Sequence, residues 1–306
     1  MWVARDGRQA ATGRRWLAVA ACVGVGALGA AACGSDSGGS SSSAASGTSS
    51  GASAAVAKVP DSALVQAGQI QFCSDISTPP LESYGPGHKP EGSDIDIGTE
   101  IAKRLGLEVV WKNTAFAGII PALTSRNCDA VLSQLFDKPE RRKVVDFVDY
   151  MRSGQALLVP KGNPKGLQGL GDLCGMKVAS ETGTTIADLL RTQSKSCTAA
   201  GKPKVTVRLF LRDSDALQQL GLKQVDVYGT TTETVSFVSA KQPDTFAVAG
   251  KPFGEILCGI ATRKGNAPLH DAIAKAFASM QADGTYKKIL AKWNLGLDEL
   301  KGSGAS

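Results

Sequence analysis

The sequence FAGIIPALTSRNCDAVLSQLFDKPERRKVVDF, from Phe116 to Phe147, contains the alternation of helix and strand that decides the fold. FAGIIPALTSR is typical of a helix with Pro121 near its first turn, where a proline is tolerated. CDAVLSQLF is a short apolar run, which indicates a buried strand, and PERRKVV is typical of a second helix start. A buried strand between two helices predicts an α/β unit.

The end of this stretch places two arginines, Arg141 and Arg142, directly after a Pro-Glu pair. Pro139 suits a first helical position, Asp137 could cap the helix, and Glu140 completes a spacing similar to a capping box. On this interpretation both arginines are exposed surface charges. The alternative is that one of them turns inward and binds an anion.

Segments on both sides continue the alternation. Upstream, QIQFCSD, DIDIGTEIAKRLGL and EVVWKN predict strand, helix and strand, and GQALLVP predicts a strand downstream. A second series of alternating segments follows: KVASE, TGTTIADLLRTQ, KVTVRLF, SDALQQLGL, VDVYG, TETVSFVSAK and TFAVAG. EILCGIATRK and two amphipathic helices, PLHDAIAKAFASMQADG and TYKKILAKW, close the chain. The pattern predicts the α/β class with largely parallel sheets, and two series joined by extended segments predict two lobes.

The first 32 residues have the parts of a secretory signal. A basic region ends in GRR, the apolar run WLAVAACVGVGALGAAA follows, and small residues precede Cys33. A small-residue triplet before cysteine resembles a bacterial lipobox, although Ala30 stands where leucine is usual. We expect residues 1–32 to be a lipoprotein signal peptide and Cys33 to be lipidated. Ordinary signal cleavage and a single-pass anchor are the alternatives.

Residues 33–59 are rich in serine, glycine and alanine, and such a segment cannot bury a core. We expect it to act as a flexible tether. The formal net charge of the chain is +6, and the predicted signal accounts for half of that excess. A charge this small over 306 residues does not favour nucleic-acid binding.

The seven cysteines fit an exported protein, in which disulfides are favoured. Cys22 lies in the predicted signal peptide, and Cys33 is the predicted lipid site. Cys174 and Cys197 bracket a strand–turn–helix pattern and form the first expected pair, and Cys73 with Cys128 is the second. Cys258 lies in the apolar segment EILCGIA and is expected to be a buried small hydrophobe. No Cys-x-x-Cys occurs, and the two histidines lack ligand spacing, so neither a metal nor a cofactor is expected.

A Gly-Thr-Thr turn, from Gly183 to Thr185, lies between a predicted strand and a predicted helix. At such a turn, backbone N–H groups and hydroxyls point into the crevice at the end of the sheet. Gly-Thr-Thr is also an ordinary turn and N-cap, so the motif alone is a weak indication of a binding site.

From about Gln69 to Leu295 the chain resembles the extracytoplasmic solute-binding proteins of ABC importers, in particular the polar amino-acid-binding family, family 3. The resemblance is carried by PPLES, GSDIDIGTEIAKRLG, the opening stretch, SGQALLV, ASETGTT and GIATRKGNAPLHDAIAKAFASMQADGTYKKILAKW. It implies the two-lobed type II periplasmic-binding fold, with a mainly parallel sheet flanked by helices in each lobe and the ligand between the lobes. We expect residues 60–153 and 256–306 to form the first lobe and 154–255 the second.

The resemblance implies that Arg141 binds the α-carboxylate of the ligand and that Arg142 points elsewhere. A guanidinium suits this role because it makes two parallel, charge-assisted hydrogen bonds to a carboxylate. Closure of the two lobes would remove water from this pair and strengthen it.

Further ligand contacts are implied at other positions of the family pattern. Phe116 would pack on the ligand side chain, while Ser133 and Gln134 would supply hydrogen bonds from a strand end. Thr184–Thr185 would contact the carboxylate from the second lobe, and Asp75 would lie near the distal end of the ligand.

The chain departs from the family pattern where that pattern holds the ammonium group of the ligand. The family usually has aspartate at the position of Thr231. Either Glu181 or Glu233 could replace it, or the ligand could be a carboxylate without an α-amine. Other departures are at Thr78, Ser93, Phe136 and Lys138.

The function expected from the sequence is capture of a small carboxylate-bearing solute, an amino acid or a derivative, and its delivery to ABC permease subunits. We expect a monomer, held by a lipid anchor at the outer face of the cell membrane. The alternatives are a dehydratase-like enzyme on the same scaffold and a sensor subunit that presents its ligand to a membrane receptor.

Overall fold

The computed structural model describes residues 58–300. The predicted signal peptide, Cys33 and nearly all of the predicted tether lie outside the described residues, as do residues 301–306. Among the described helices, none has both the length and the apolar character needed to cross a membrane.

The strands are β1 (Gln69–Ser74), β2 (Ser83–Tyr84), β3 (Pro90–Glu91), β4 (Glu108–Asn113), β5 (Ala130–Val131), β6 (Val145–Pro160), β7 (Lys177–Glu181), β8 (Thr206–Phe210), β9 (Val227–Thr231) and β10 (Phe246–Arg263). The helices are α1 (Ser93–Leu105), α2 (Ile119–Thr124), α3 (Pro139–Arg142), α4 (Thr185–Ala199), α5 (Asp213–Gly221), α6 (Thr232–Lys241), α7 (Ala267–Ala282) and α8 (Thr285–Lys292).

Eight of these strands form one mixed sheet in the order β4-β1-β5-β10-β6-β9-β7-β8. β1 pairs in parallel with β4 and β5, and β7 pairs in parallel with β8 and β9. Within this sheet the antiparallel pairings all involve β6 or β10, which lie between the two parallel groups, and β2 and β3 form a separate antiparallel pair. The expected architecture, two mainly parallel sheets flanked by helices, is therefore confirmed, and the two sheets are joined into one.

The two long strands β6 and β10 make this junction. They have 16 and 18 residues and pair along most of their length. Register shifts between Ala249 and Phe253, and again between Phe253 and Ile256, interrupt the ladder near its middle. The sequence analysis separated TFAVAG from EILCGIATRK, and both lie in β10. In the structure, backbone pairing continues across the irregular region, as it does at β-bulges.

Separate hydrophobic clusters form on the two sides of this junction. The first side contains Ile97, Phe277 and Tyr286 in its main cluster, and the second side contains Leu190 and Tyr228 in two smaller ones. We propose that the lobes divide within β6 and β10, which agrees with the expected boundaries at residues 153/154 and 255/256.

The sequence interpretation of α3 is wrong about its N-cap. The helix has four residues, and its N-cap is Lys138, whose side chain makes no capping hydrogen bond. Asp137 does not cap, because its carboxylate accepts hydrogen bonds from the guanidinium of Arg142. Pro139 is at the start of the helix as expected.

Two disulfides have the expected pairing. Cys73–Cys128 links β1 to the residues just before β5, and Cys174–Cys197 links the segment before β7 to the last turns of α4. Cys258 is buried and unpaired within the part of the chain that the structure describes. Each bridge therefore fastens a helix or a loop to its own lobe.

Candidate functional site

A cavity of about 430 Å³ lies between the two lobes. Its walls include eight of the residues expected from the sequence: Phe116, Ser133, Gln134, Arg141, Glu181, Thr184, Thr185 and Thr231. They also include residues that the sequence did not assign: Thr78, Glu82, Phe136, Gln155, Ile186, Asp213 and Thr230. The two lobes therefore contribute to one shared site.

Arg141 lies at this cavity and is directed inward by its backbone contacts. Its Nη1 donates to the Phe136 carbonyl at 2.9 Å, and its Nη2 donates to the Gly183 carbonyl of the second lobe at 3.3 Å. The guanidinium carbon lies 5.6 Å from the centre of the Phe116 ring. Burial lowers the pKa of Arg141 below its ordinary value. Within residues 58–300, no carboxylate lies at ion-pair distance from it, so its charge is available to an anionic ligand.

Arg142 has a different environment. It forms ion pairs with Asp137 and, at 3.8 Å, with Asp149, and 41% of its side chain is exposed. The hydrogen bond to Asp137 raises the pKa of Arg142. The adjacent arginines thus separate into one that faces the cavity and one that pairs with acidic residues of its own lobe.

The turn between β7 and α4 brings the second lobe close to the first. Gly183 has φ +86°, and a Cβ there would lie 2.9 Å from the Ala117 Cα. Thr184 is the N-cap of α4 and accepts a hydrogen bond from the Ala187 N–H at 3.3 Å. The buried hydroxyl of Thr185 has no hydrogen-bond partner in the described chain. Both the positive φ of Gly183 and its close approach to Ala117 require a glycine at this position. The tight turn places the first residues of α4, Thr184 and Thr185, in the cavity wall.

Ser133 and Gln134 follow β5 and are held in place by buried carboxyl groups. The Ser133 hydroxyl donates to Glu82 Oε1 at 2.7 Å. The Gln134 N–H donates to Asp94 Oδ2 at 2.9 Å, and its side-chain Nε2 donates to Glu233 Oε2 at 2.6 Å. Gln134 has φ +43°, so its exact placement depends on these contacts.

Asp75 differs from its expected role at the distal end of the ligand, since it is not among the cavity-lining residues. Its carboxylate accepts hydrogen bonds from the Phe116 N–H at 2.8 Å and the Ser77 hydroxyl at 2.6 Å. It also pairs with Arg212 of the second lobe at 3.1 Å. Arg212 donates to Asn113 at 2.7 Å as well. Asp75 is therefore an interlobe link, because its oxygens are occupied by protein donors.

The two glutamates considered as replacements for the usual aspartate lie in different places. Glu181 lines the cavity, whereas Glu233 lines a separate hollow of about 700 Å³ near the middle of β6 and β10. Glu233 Oε2 accepts from Ser153 at 2.7 Å, and burial raises its pKa to about 7. Thr231, at the family's aspartate position, lines the cavity with an uncharged side chain. Of the two glutamates, Glu181 is therefore the one that can reach a ligand.

Sequence reasoning missed two further acidic residues of the cavity wall. Glu82 is in the PPLES segment and lies next to the fully buried Leu81, and Asp213 begins α5. Burial and the neighbouring Asp94 raise the pKa of Glu82 well above its ordinary range, and burial raises that of Asp213 to about 7. The available signal was a carboxylate beside an apolar residue, which is common on protein surfaces and therefore not diagnostic.

Comparison with known proteins gives consistent results. The family model described as bacterial extracellular solute-binding proteins, family 3, matches residues 70–296. The L-cystine-binding protein TcyJ of Escherichia coli K12 is 33% identical over 216 residues, covering 70% of this chain and 78% of the relative. The ABC transporter glutamine-binding protein GlnH of Bacillus subtilis is 34% identical over 208 residues, covering 66% of this chain and 72% of the relative.

Solved structures agree. An ancestral arginine-binding protein bound to glutamine has a TM-score of 0.69 and 36% identity, with 74% of this chain and 98% of that one covered. Another is the ancestral amino acid-binding protein AncCDT-1, a precursor of cyclohexadienyl dehydratase, with a TM-score of 0.64, 32% identity and coverage of 74% and 95%. The similar curated proteins described here are solute-binding proteins, not enzymes. With this fold and this cavity between its lobes, the chain belongs to the family 3 bacterial extracellular solute-binding proteins.

Proposed function

We propose that the chain is a lipid-anchored receptor that captures a small carboxylate-bearing solute, an amino acid or a derivative, and delivers it to an ABC permease. The observation that carries this proposal is the guanidinium of Arg141, which faces the cavity without a carboxylate partner among the described residues. A cation partly removed from water stabilises a bound anion more strongly than an exposed one does.

The contacts around this arginine support capture between two closing lobes. Gly183 of the second lobe accepts from Arg141, Arg212 reaches Asp75, and the Asp213 N–H donates to Ser77 at 3.1 Å. A ligand held on Arg141 would therefore contact both lobes at once. Such a ligand favours the closed arrangement because it binds that arrangement better than an open one.

The proposed lipid anchor and the proposed delivery to a permease are supported by other observations. Cys33 and the predicted signal lie outside the described residues, and lipidation is proposed from the sequence pattern alone. Delivery to a permease is proposed from the family and from relatives named as ABC transporter binding proteins.

A ligand screen tests the proposal. The mature chain with Cys33→Ser is heated with amino acids, with amines that lack a carboxylate, and with organic acids, and the unfolding midpoint is recorded. We expect stabilisation only by compounds with a carboxylate, and loss of that stabilisation in Arg141→Ala. The proposal is wrong if decarboxylated amines stabilise the protein as well as the parent amino acids do. Product analysis of the same mixtures separates a receptor, which leaves its ligand intact, from an enzyme.

A further inference from the structure

The cavity wall contains three buried carboxyl groups, a feature that the capture of a carboxylate does not explain. Glu82, Glu181 and Asp213 are 1%, 4% and 3% exposed, and all line the cavity. Arg141 is the single basic residue among the lining residues that the structure describes. Capture of a carboxylate requires no acid in the cavity wall, and any of these groups that is ionised would repel an incoming negative charge.

Glu181 is the acid with the least compensation. It ends β7, and its Oε1 accepts no hydrogen bond from any described residue. Its carboxyl shares a hydrogen bond with Asp75 and lies near Asp213, and the guanidinium of Arg212 acts on it. Arg212 is already paired with Asp75 at 3.1 Å. Asp75 and Glu181 thus share one guanidinium, and Asp213 lies nearby.

Such a cluster without a ligand must hold protons. Burial, followed by the charges of Asp75 and Asp213, raises the pKa of Glu181 to about 11, so this group is protonated at neutral pH. A buried acid that lacks a full set of partners is unfavourable. A ligand cation placed at Glu181 would remove this deficit, because it would supply both donors and a positive charge.

The acidic wall is also separate from the carboxylate site. The carboxylates that act on Arg141 are those of Glu140 and Asp188, and neither belongs to the wall. Glu181 has charged neighbours of its own, Asp75, Asp213 and Arg212, so a ligand bound at Arg141 meets a second, acidic set of groups in the same cavity. Thr231, near the position where the family holds the ammonium, adds no charge of its own.

Resting on the proposed function, we infer that the solute is a cationic amino acid, with its carboxylate on Arg141 and a side-chain guanidinium or ammonium group on Glu181, near Asp213. On binding, the proton of the Glu181 carboxyl group leaves to solvent and the ligand cation takes its place. The net charge of the acidic wall together with its bound cation is then unchanged. A neutral ligand releases no proton.

Calorimetry with matched ligands tests the inference. The mature chain with Cys33→Ser is titrated with arginine, with lysine, and with citrulline, which replaces the guanidinium by a neutral group of nearly the same shape. Each titration is repeated at pH 7 in two buffers of different ionisation enthalpy, which gives the number of protons released. We expect arginine or lysine to bind at least about 30-fold more tightly than citrulline, since a buried charge pair contributes on this scale. We also expect close to one proton released for the cationic ligand.

Two variants distinguish the site from general effects of charge. Glu181→Gln is expected to fold, because it replaces a protonated acid by a neutral group of similar size, and circular dichroism checks this. It should reduce the preference for the cation to within a few-fold and abolish proton release. Asp244→Asn removes an acid whose side chain is 91% exposed and that does not line the cavity, and it should leave both quantities unchanged.

The outcomes separate the two hypotheses. If citrulline or glutamine binds as tightly as arginine and lysine, or if Glu181→Gln retains the preference for the cation, the inference is overturned and the proposed function stands. If no compound with a carboxylate binds, the proposed function fails and this inference fails with it.

Discussion

Replacing Arg141 with alanine should weaken ligand binding far more than the same change at its neighbour. In the structure, Arg141 contacts the carbonyls of Phe136 and Gly183 and faces the cavity, while Arg142 pairs with Asp137 at the surface of its own lobe. The two residues have the same chemistry and adjacent positions in the chain. A difference between the variants therefore reports the direction of the side chain and not the loss of a positive charge.

The expected size of the effect follows from desolvation. Truncation of one partner of a buried charge pair costs about 2–5 kcal/mol, part of which is the penalty of leaving the other charge unpaired. This corresponds to a loss of affinity of roughly 30-fold to a few thousand-fold. Arg142 is 41% exposed, and exposed ion pairs contribute about 1 kcal/mol or less, so its loss should change the dissociation constant by no more than about fivefold.

The free energy of unfolding should show the opposite order, with a larger loss for Arg142→Ala than for Arg141→Ala. Arg142→Ala leaves the Asp137 carboxylate, which is 3% exposed, without its guanidinium partner. Such a group costs on the order of 1 kcal/mol or more in unfolding free energy. Arg141→Ala removes a charge that lacks an ion pair among the described residues, and we expect it to be neutral or slightly stabilising in the absence of ligand.

Isothermal titration calorimetry of both variants and of Arg141→Lys provides the assay, with urea unfolding as the control. Lysine retains the charge but cannot make two parallel hydrogen bonds, so we expect a loss of affinity of roughly tenfold for Arg141→Lys. Equal and small losses in the two alanine variants would refute the reasoning. Both arginines would then be surface residues, and the carboxylate hypothesis would fail.

Four further changes have defined outcomes. Cys33→Ala should release the protein from membranes in cell fractionation, and a variant that stays membrane-bound would rule out the lipid anchor. Cys174→Ser with Cys197→Ser should lower the unfolding free energy in urea by roughly 3 kcal/mol, and an unchanged value would show that this bridge contributes nothing. Arg212→Met should weaken ligand binding by about 2 kcal/mol through loss of an interlobe ion pair, although Arg212 does not line the cavity; unchanged affinity would argue against such a link. The pKa of Glu233 is raised from 4.5 to about 7, so folded protein binds more protons than unfolded chain between these values and stability falls as pH rises through them. Glu233→Gln should reduce this pH-dependent loss of unfolding free energy by on the order of 3 kcal/mol. Equal dependence of the unfolding midpoint on pH in wild type and variant, measured from pH 5 to 8, would contradict this.

The local patterns of the sequence predicted most of the fold. Apolar residues at helical spacing in α1 and α7, and alternation in β8, are consequences of the repeat of each element, and a repeat can be counted along the chain. The short helix α3 was predicted less well. Asp137 is a good capping residue by type, but a charge pair with Arg142 competes for its carboxylate.

The candidate site was predicted only where a single residue type carries the chemistry. Arg141 is identifiable because it directly follows a Pro-Glu pair and because the order of strands and helices around it resembles that of a known family. Glu82 and Asp213 are not, because an acid near a turn or a helix start is normally exposed. Their burial results from contacts with residues distant in the chain, such as Tyr228 on Asp213.

The sequence by itself therefore determined the α/β class, the order of the elements, the two disulfide pairs and the arginine that faces the cavity. Each of these depends on residue type and spacing within a short segment or on a resemblance that preserves that spacing. Tertiary structure alone decided that β6 and β10 join two sheets into one, that Asp75 links the lobes, and that Glu181 lies among other acids in the cavity wall. The physical reason is that burial and electrostatic environment depend on which distant segments meet, and no local pattern of residues specifies that meeting.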